Sequence, residues 1–540
     1  MADAETARLC VQITSSQFGP LTAKVASVLL TRGRLPLAHL VRFTSLKPRT
    51  VRQAIIVLVQ HNIVWHAVTE DEGEVLEVNT EECLTRLRFG RYVWQAEQLF
   101  GVEGAEILQI ILDHGKLRSS DILSKLPAHH PKGPDAYQKV LHKLVTTTYL
   151  KPSTILSHVS PRDKRIKYEG EEKAKISGFP TAKELRQAAE KAEARLKLEE
   201  AEAEKVGLKV KAQKPGPRGV KRKAETEEVV DDEVFFRINY DKFNIHIRNK
   251  IIETAARERF NESAALVMRA TLKATEAKQI GVSDIKSDPT STANISLQLS
   301  DDADLSQGLI LKPSKKHSNV ALLKDYIGML SSSDNPTPVG RAGSFLSMVG
   351  AKIQVEFEIV CRRLRRRVLE AVTRERHGED GVRLLRLLLD TGMMDEKQIS
   401  KVSMLSPKEA RPLLSAMASE SLVSIQEVPK SADRNPTRTF YLWYVDLHKA
   451  YSVLLGSLYK TLYNISVRRR AEEEEPALKA VLEKRERSDV SEDESLLTRM
   501  ERETLQQWES KKEKLTVLEM RVEEAVFILR DLGALGIGDD

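Results

Sequence analysis

The sequence predicts a mainly α protein: tandem winged-helix domains, each a three-helix core with a β-hairpin wing, and a C-terminal coiled-coil hairpin. Three observations carry this. Two glycines fourteen residues apart recur as Gly19/Gly33, Gly101/Gly115 and Gly378/Gly392, with two adjacent aliphatic residues three and four positions before each second glycine. After each pair come two further helical patterns and then a stretch read as a wing, so one architecture repeats. Near the end, Trp508, Leu515, Val522 and Leu529 recur every seven residues, the spacing of an interhelical seam.

In the first copy, Leu21, Val25, Val28 and Leu29 share one helical face, and Gly33 stops that helix. "LPLAHLVRFT" follows as a short second helix. The third has Pro48 in its first turn and Val51, Ile55, Leu58 and Val59 inward. "IVWHAVTEDEGEVLEVN" alternates on both sides of a Glu-Asp-Glu-Gly turn and predicts a hairpin. The second copy places its helices over "SSDILSKL" and "GPDAYQKVLHKLVTTTYL", and its hairpin over residues 154–170. In the last copy, Ser406 and Glu409 form a capping box around Pro407, and residues 423–445 form the hairpin. A degenerate copy lies between. Residues 243–277 are strongly helical, "SNVALLKDYIGML" supplies a third helix, and residues 337–358 make a Gly-rich wing, with an insert at about 278–317 breaking the spacing.

The expected map is winged helix 1 over residues 1–90, winged helix 2 over 91–175, a charged flexible linker over 176–232, winged helix 3 over 233–370, winged helix 4 over 371–446, and the coiled coil over 447–540. The linker expectation rests on the absence of any aromatic residue between Phe179 and Phe235, and on a run of eight basic and no acidic residues at 205–223. That run reads either as a solvated tether or as a nuclear import or DNA-grazing segment. The coiled-coil seam comprises Leu505, Trp508, Leu515, Val522 and Leu529, with the acidic Ser488–Ser495 stretch joining two antiparallel helices.

The chain's 540 residues exceed what one core can organise, so roughly three to five domains are expected. Aromatics at 5% argue against a large β-rich protein. A formal charge of +7 is compatible with nucleic acid. Cys10, Cys83 and Cys361 are far apart, which excludes a disulfide framework and points to a reducing compartment. No apolar run approaches the roughly 20 residues that span a bilayer, and the N-terminus lacks a signal-peptide pattern. An intracellular, soluble protein without membrane contact is expected.

No catalytic chemistry emerges. Lys116 follows Gly115, but Ile110 stands where a phosphate-binding loop needs its first glycine. The terminal "GALGIGDD" has glycine spacing with no helix after it. His129 and His130 are adjacent but have no third ligand at suitable spacing, so no metal site and no cofactor are expected. Basic clusters say more. Lys47, Arg49 and Arg52 open the third helix of the first unit, the element that enters the major groove in helix-turn-helix proteins, and are candidate DNA contacts. Arg362, Arg363, Arg365, Arg366 and Arg367 crowd the helix before the last repeat and are candidates for an acidic partner or nucleic acid.

On "FGPLTAKVASVLLTRGRLPLAHLVRFTSLKPRTVRQAIIVLVQHN" and "PTRTFYLWYVDLHKAYSVLLGSLYKTLYNISVRRR", the chain resembles the winged-helix third-largest subunit, fungal-type, of the RNA polymerase III-specific heterotrimer, a relative of the large subunit of transcription factor IIE. The resemblance implies four winged helices and a coiled coil, and a non-catalytic role in promoter opening and initiation at small-RNA genes (tRNA, 5S rRNA). It also implies docking on the clamp of the largest subunit of the RNA polymerase III core. The other implied partners are the two smaller subunits of the heterotrimer, transcription factor IIIB and double- or single-stranded promoter DNA, in the nucleus. The alternative is a free-standing transcription factor with tandem winged helices. That role needs base-reading side chains on several third helices, and only the first is so furnished.

Overall fold

Gly19, Gly33, Gly101, Gly115, Gly378 and Gly392 all have φ between 72° and 84°, so each paired glycine is a backbone break that bounds a helix. The computed structural model describes residues 3–69, 73–126, 134–176, 181–210, 228–300, 305–306, 308–309, 318–332, 337, 340, 343–430, 439–487, 490 and 497–532. Contacts divide the chain into two units, Met1–Phe243 and Asn244–Asp540.

In the first unit, α1 (Ala4–Phe18) ends at Gly19 and packs on α2 (Pro20–Arg32). Strand β1 (Leu35–Pro36), α3 (Leu37–Thr44), α4 (Pro48–Gln60), β2 (Val64–Thr69) and β3 (Gly73–Val78) follow, and the sheet order is β1-β3-β2. This is a winged helix with an added first helix. Val25, Leu29, Leu40, Val51, Leu58, Ile63 and Leu76 form its core. Leu21, on the same helical face by spacing, is 51% exposed. The Glu-Asp-Glu of the predicted hairpin turn lies outside the described residues.

After α5 (Thr80–Thr85), the pattern repeats with α6 (Phe89–Phe100), α7 (Val102–His114), β4 (Leu117–Arg118), α8 (Ser119–Lys125), α9 (Pro134–Thr146) and β5 (Leu150–Pro152). The wing departs from expectation. Residues 154–170 are not a hairpin: a 3-10 turn (Ile155–His158) leads into α10 (Pro161–Ala174). Ser160 caps that helix, accepting a hydrogen bond from the Asp163 N–H at 3.2 Å, and Pro161 pre-sets its first turn. Next come α11 (Ala182–Lys205) and a ribbon of β6 (Leu208–Val210) with β7 (Glu228–Val230). The second wing strand is β8 (Phe235–Ile238), giving the order β4-β8-β5 with Leu150 opposite Ile238.

The 176–232 segment is thus not a free tether, and its Ala/Glu/Lys-rich first half, whose composition suits a helix, is α11. Its described residues build a helix and a ribbon inserted between two strands of one wing. Helices α10 and α11 run antiparallel, tied by Lys164–Glu199 at 2.7 Å and Arg195–Glu171 at 2.6 Å. Ala188 and Ala192 bury the inner face of α11, and Tyr168 of α10 supplies the one ring between the two helices, lying under Arg195 and bonded to Glu199. Most of the 205–223 basic run lies outside the described residues.

The boundary between the units falls in α12 (Tyr240–Arg259). The second unit continues with α13 (Glu262–Thr275), β9 (Thr290–Ser291), α14 (Thr292–Gln298), α15 (Asn319–Ser331), β10 (Leu346–Val349) and β11 (Lys352–Val355), in the order β10-β11-β9. The expected insert at 278–317 thus holds the third strand and second helix of this winged helix. Asn261 stands where the other copies have the first glycine. Its side chain caps α13 by accepting the Ala264 N–H at 2.8 Å.

A 35-residue helix, Phe357–Thr391, breaks at Gly378 and opens the last copy. Helices Glu396–Ser403 and Pro407–Ser419 follow, then β13 (Ser424–Pro429) and β14 (Thr439–Tyr444), with β12 (Met394–Asp395) completing the order β12-β14-β13. The Ser406–Glu409 capping box forms.

The tail pairs helix Leu447–Glu473 with helix Arg499–Val526 in antiparallel sense, tied by Arg469–Glu519 and by Lys511–Glu472 at 2.9 Å. A third helix, Pro476–Arg485, packs on their far end. A π-helical turn, Phe527–Asp531, returns Leu529 to the core of the last winged helix. Of the expected acidic connector, only Val490 is described.

Candidate nucleic-acid interface

Lys47 occupies the N-cap of α4, and Arg49 and Arg52 lie in its first turns. All three side chains are exposed, and among the described residues none makes an ion pair. The opposite face of α4 buries Val51, Ala54 and Leu58, which holds the cations outward. A helix N-terminus already carries partial positive charge from its unbonded N–H groups, so three cations there are electrostatically uncompensated.

The arginine cluster differs from expectation. Arg365 is 7% exposed and lies over the Tyr451 ring. Arg363 is half-buried, stacks 4.0 Å from the Phe345 centroid and donates to the Gly343 carbonyl at 2.5 Å. Arg362 pairs with Glu358, Arg366 with Glu370 and Asp390, and Arg367 with Glu258. The five arginines thus divide: Arg363 and Arg365 turn inward on a packed helix, while Arg362, Arg366 and Arg367 reach carboxylates.

The predicted seam divides as well. Leu505 and Trp508 are buried against Leu478 and Val481 of the third tail helix. Leu529 is buried in the last winged helix, while Leu515 and Val522 are only half-buried.

Sequence reasoning missed a buried ionisable cluster in the first unit. Gln60 donates to the Lys116 carbonyl at 2.6 Å, and Lys116 Nζ donates to the Val59 carbonyl at 2.9 Å. A Cβ on Gly115 would overlap the Gln60 carbonyl, so only glycine allows this junction between the two winged helices. The Lys116 ammonium also lies 3.0 Å from the His158 ring, which stacks on His66. Burial pushes Lys116 down to about 8, His158 to about 4 and His61 to about 3. Burial pushes the Glu82 carboxyl up to about 7 against the pull of Arg237. Glu82 and Arg237 line a cavity of about 180 Å³, together with Asn62, Asn79, Lys164 and Glu199 among others. Lys116, which the sequence places beside a glycine, is thus a structural cation.

Among the described residues there is no group of His, Cys, Asp and Glu fit to hold a metal, and no helix is long and apolar enough to cross a membrane. His129, His130 and the "GALGIGDD" tail lie outside the described residues.

Known proteins match along the whole chain. Residues 8–68 match the helix-turn-helix domain of RNA polymerase III subunit RPC82, residues 139–343 match the family RNA polymerase III subunit RPC82, and residues 369–445 match the POLR3C C-terminal winged-helix domain. The DNA-directed RNA polymerase III subunit RPC3 of Bos taurus is 26% identical over 557 residues, covering 97% of both chains. That of Danio rerio is 27% identical over 560 residues, covering 97% of this chain and 98% of its own. The subunit RPC-3 of Coccidioides immitis is 25% identical over 657 residues, covering 97% and 99%. Vertebrate and fungal relatives match almost equally, so the similarity does not single out the fungal type. With three regions matching RNA polymerase III subunit models in order, and relatives named as RNA polymerase III subunit RPC3 matching over nearly the whole length, the chain belongs to the family of the third-largest, non-catalytic subunit of RNA polymerase III.

Proposed function

We propose that this polymerase III subunit acts in promoter opening and initiation at small-RNA genes, in the nucleus. It holds promoter DNA, double- or single-stranded, through phosphate contacts from Lys47, Arg49 and Arg52. It does so docked on the clamp of the largest subunit, with the two smaller heterotrimer subunits and transcription factor IIIB as partners. The observation that carries the DNA contact is the set of three exposed cations without ion-pair partners among the described residues at one helix N-terminus, backed by a packed apolar face. Phosphates would supply the missing countercharge and carry no sequence preference.

The test is duplex binding by the chain with K47A, R49A and R52A together. Affinity should fall equally on unrelated sequences. The slope of log affinity against log salt should flatten by about 2 to 3, from roughly 0.9 per lost phosphate contact. An unchanged slope would return the three residues to ordinary surface charge.

A further inference from the structure

The second unit contains a cleft of about 860 Å³ beside the break at Gly378. Besides four of the five clustered arginines, it is lined by Arg259, Arg374 and Arg386, and Glu370 is its one lining carboxylate. Most of these arginines have carboxylate partners around the rim: Arg374 pairs with Glu379 at 2.6 Å, and Arg386 with Glu370 at 2.6 Å. Two do not. Arg259 and Arg363 both donate to the neutral Gly343 carbonyl, at 2.6 and 2.5 Å, and among the described residues neither meets a carboxylate. The buried Nη2 of Arg363 has no hydrogen-bond partner among the described residues. Burial, and then the neighbouring Arg259 cation, lower Arg363 to about 10. A Cβ on Gly343 would lie 2.5 Å from Arg259 Nη2, so a side chain there would disturb the convergence of the two guanidinium groups.

We propose that this cleft binds an acidic peptide segment of a partner protein, one carboxylate lying between Arg259 and Arg363 and others along the arginine rim. Guanidinium forks match carboxylates in bidentate geometry. Arginine clusters are a recurrent way to recognise acidic motifs. Ile359 and Ala371 give the cleft an apolar floor, which suits apolar side chains between the acidic ones. The lining argues against nucleic acid. It holds no aromatic ring to stack a single-stranded base, and its concavity opposes the convex phosphate ridges of a duplex.

The test uses the full chain and a fluorescein-labelled peptide of Glu-Glu-Leu repeated four times, read by fluorescence anisotropy. A thymidine oligonucleotide of equal length serves as the comparison probe. Arg259 and Arg374 are both exposed, so R259E/R374E needs no repacking of the core. The expected result is peptide binding weakened by roughly tenfold or more in R259E/R374E, with an unchanged thermal unfolding temperature. The single variant R374E, whose ion-pair partner Glu379 is exposed, should weaken binding in the same direction without touching Gly343. Binding of the peptide by K47A/R49A/R52A should be unchanged. The proposal is overturned if both arginine variants bind the peptide as the unsubstituted chain does. It is also overturned if the oligonucleotide binds more tightly than the peptide and loses its binding in the same variants.

Discussion

Glu82 shows what a single buried charge does to this molecule. Its N–H donates to Asn79 Oδ1, which turns the carboxyl inward, and Tyr240 and Arg86 partly compensate it. Burial raises its carboxyl from the usual 4.5 to about 7, so the folded state favours the protonated form. The resulting stability is fully present below about pH 4.5 and is lost as pH rises through 7. Replacing Glu82→Gln should therefore stabilise the first unit at pH 8, by on the order of 1–3 kcal/mol. It should also flatten the rise in stability otherwise seen on going from pH 8 to pH 5. Thermal unfolding at those two pH values checks this, and a variant less stable at pH 8 contradicts it. None of this was legible in the sequence. Glu81-Glu82 reads as a solvated pair, and the Arg237 charge that acts on Glu82 comes from β8, brought close only when that strand rejoins the wing.

Elements were legible where local signals and spacing agreed. The glycine pairs, the Ser406–Glu409 box and the hairpins of the first and last copies all lie in contiguous sequence. The second wing failed because its strands are separated by a helical hairpin and a ribbon, and pairing across that distance leaves no local trace. One signal was available: Ser160-Pro161-Arg162-Asp163 has the same serine, proline and acid order that marks the helix start at Ser406-Pro407-Lys408-Glu409. The degenerate copy is legible in its helical stretches, but its second helix, Thr292–Gln298, lies inside the segment read as an insert, and Asn261 in place of the first glycine leaves no glycine pair to fix the spacing. The tail's seven-residue period was real in the sequence, yet periodicity does not say what each position meets. Trp508 is 5% exposed against a third helix, whereas Leu515 is only half-buried. Trp508→Ala should cost about 3–5 kcal/mol and Leu515→Ala distinctly less. Denaturant unfolding followed by helical circular dichroism compares them, and equal losses would contradict the placement of the tail's third helix.

At the scale of the whole molecule, the chain is a set of winged helices whose cations serve unlike ends. The formal charge of +7 is spread over a chain with 85 basic and 78 acidic residues, so position decides more than total. Arg363 and Arg365 are drawn into packing, while Lys47, Arg49 and Arg52 remain outward and, among the described residues, without ion-pair partners. A non-catalytic subunit affects transcription only by what it holds, and holding DNA matters most before the polymerase is committed. The most direct measurement is therefore transcription by RNA polymerase III purified with the K47A/R49A/R52A chain in place of its own. Two templates are compared, one requiring promoter opening and one carrying a preformed bubble. The account predicts normal subunit composition, normal elongation from the bubble and markedly reduced initiation at the promoter. Equal activity on both templates, or loss of the subunit from the enzyme, would contradict it.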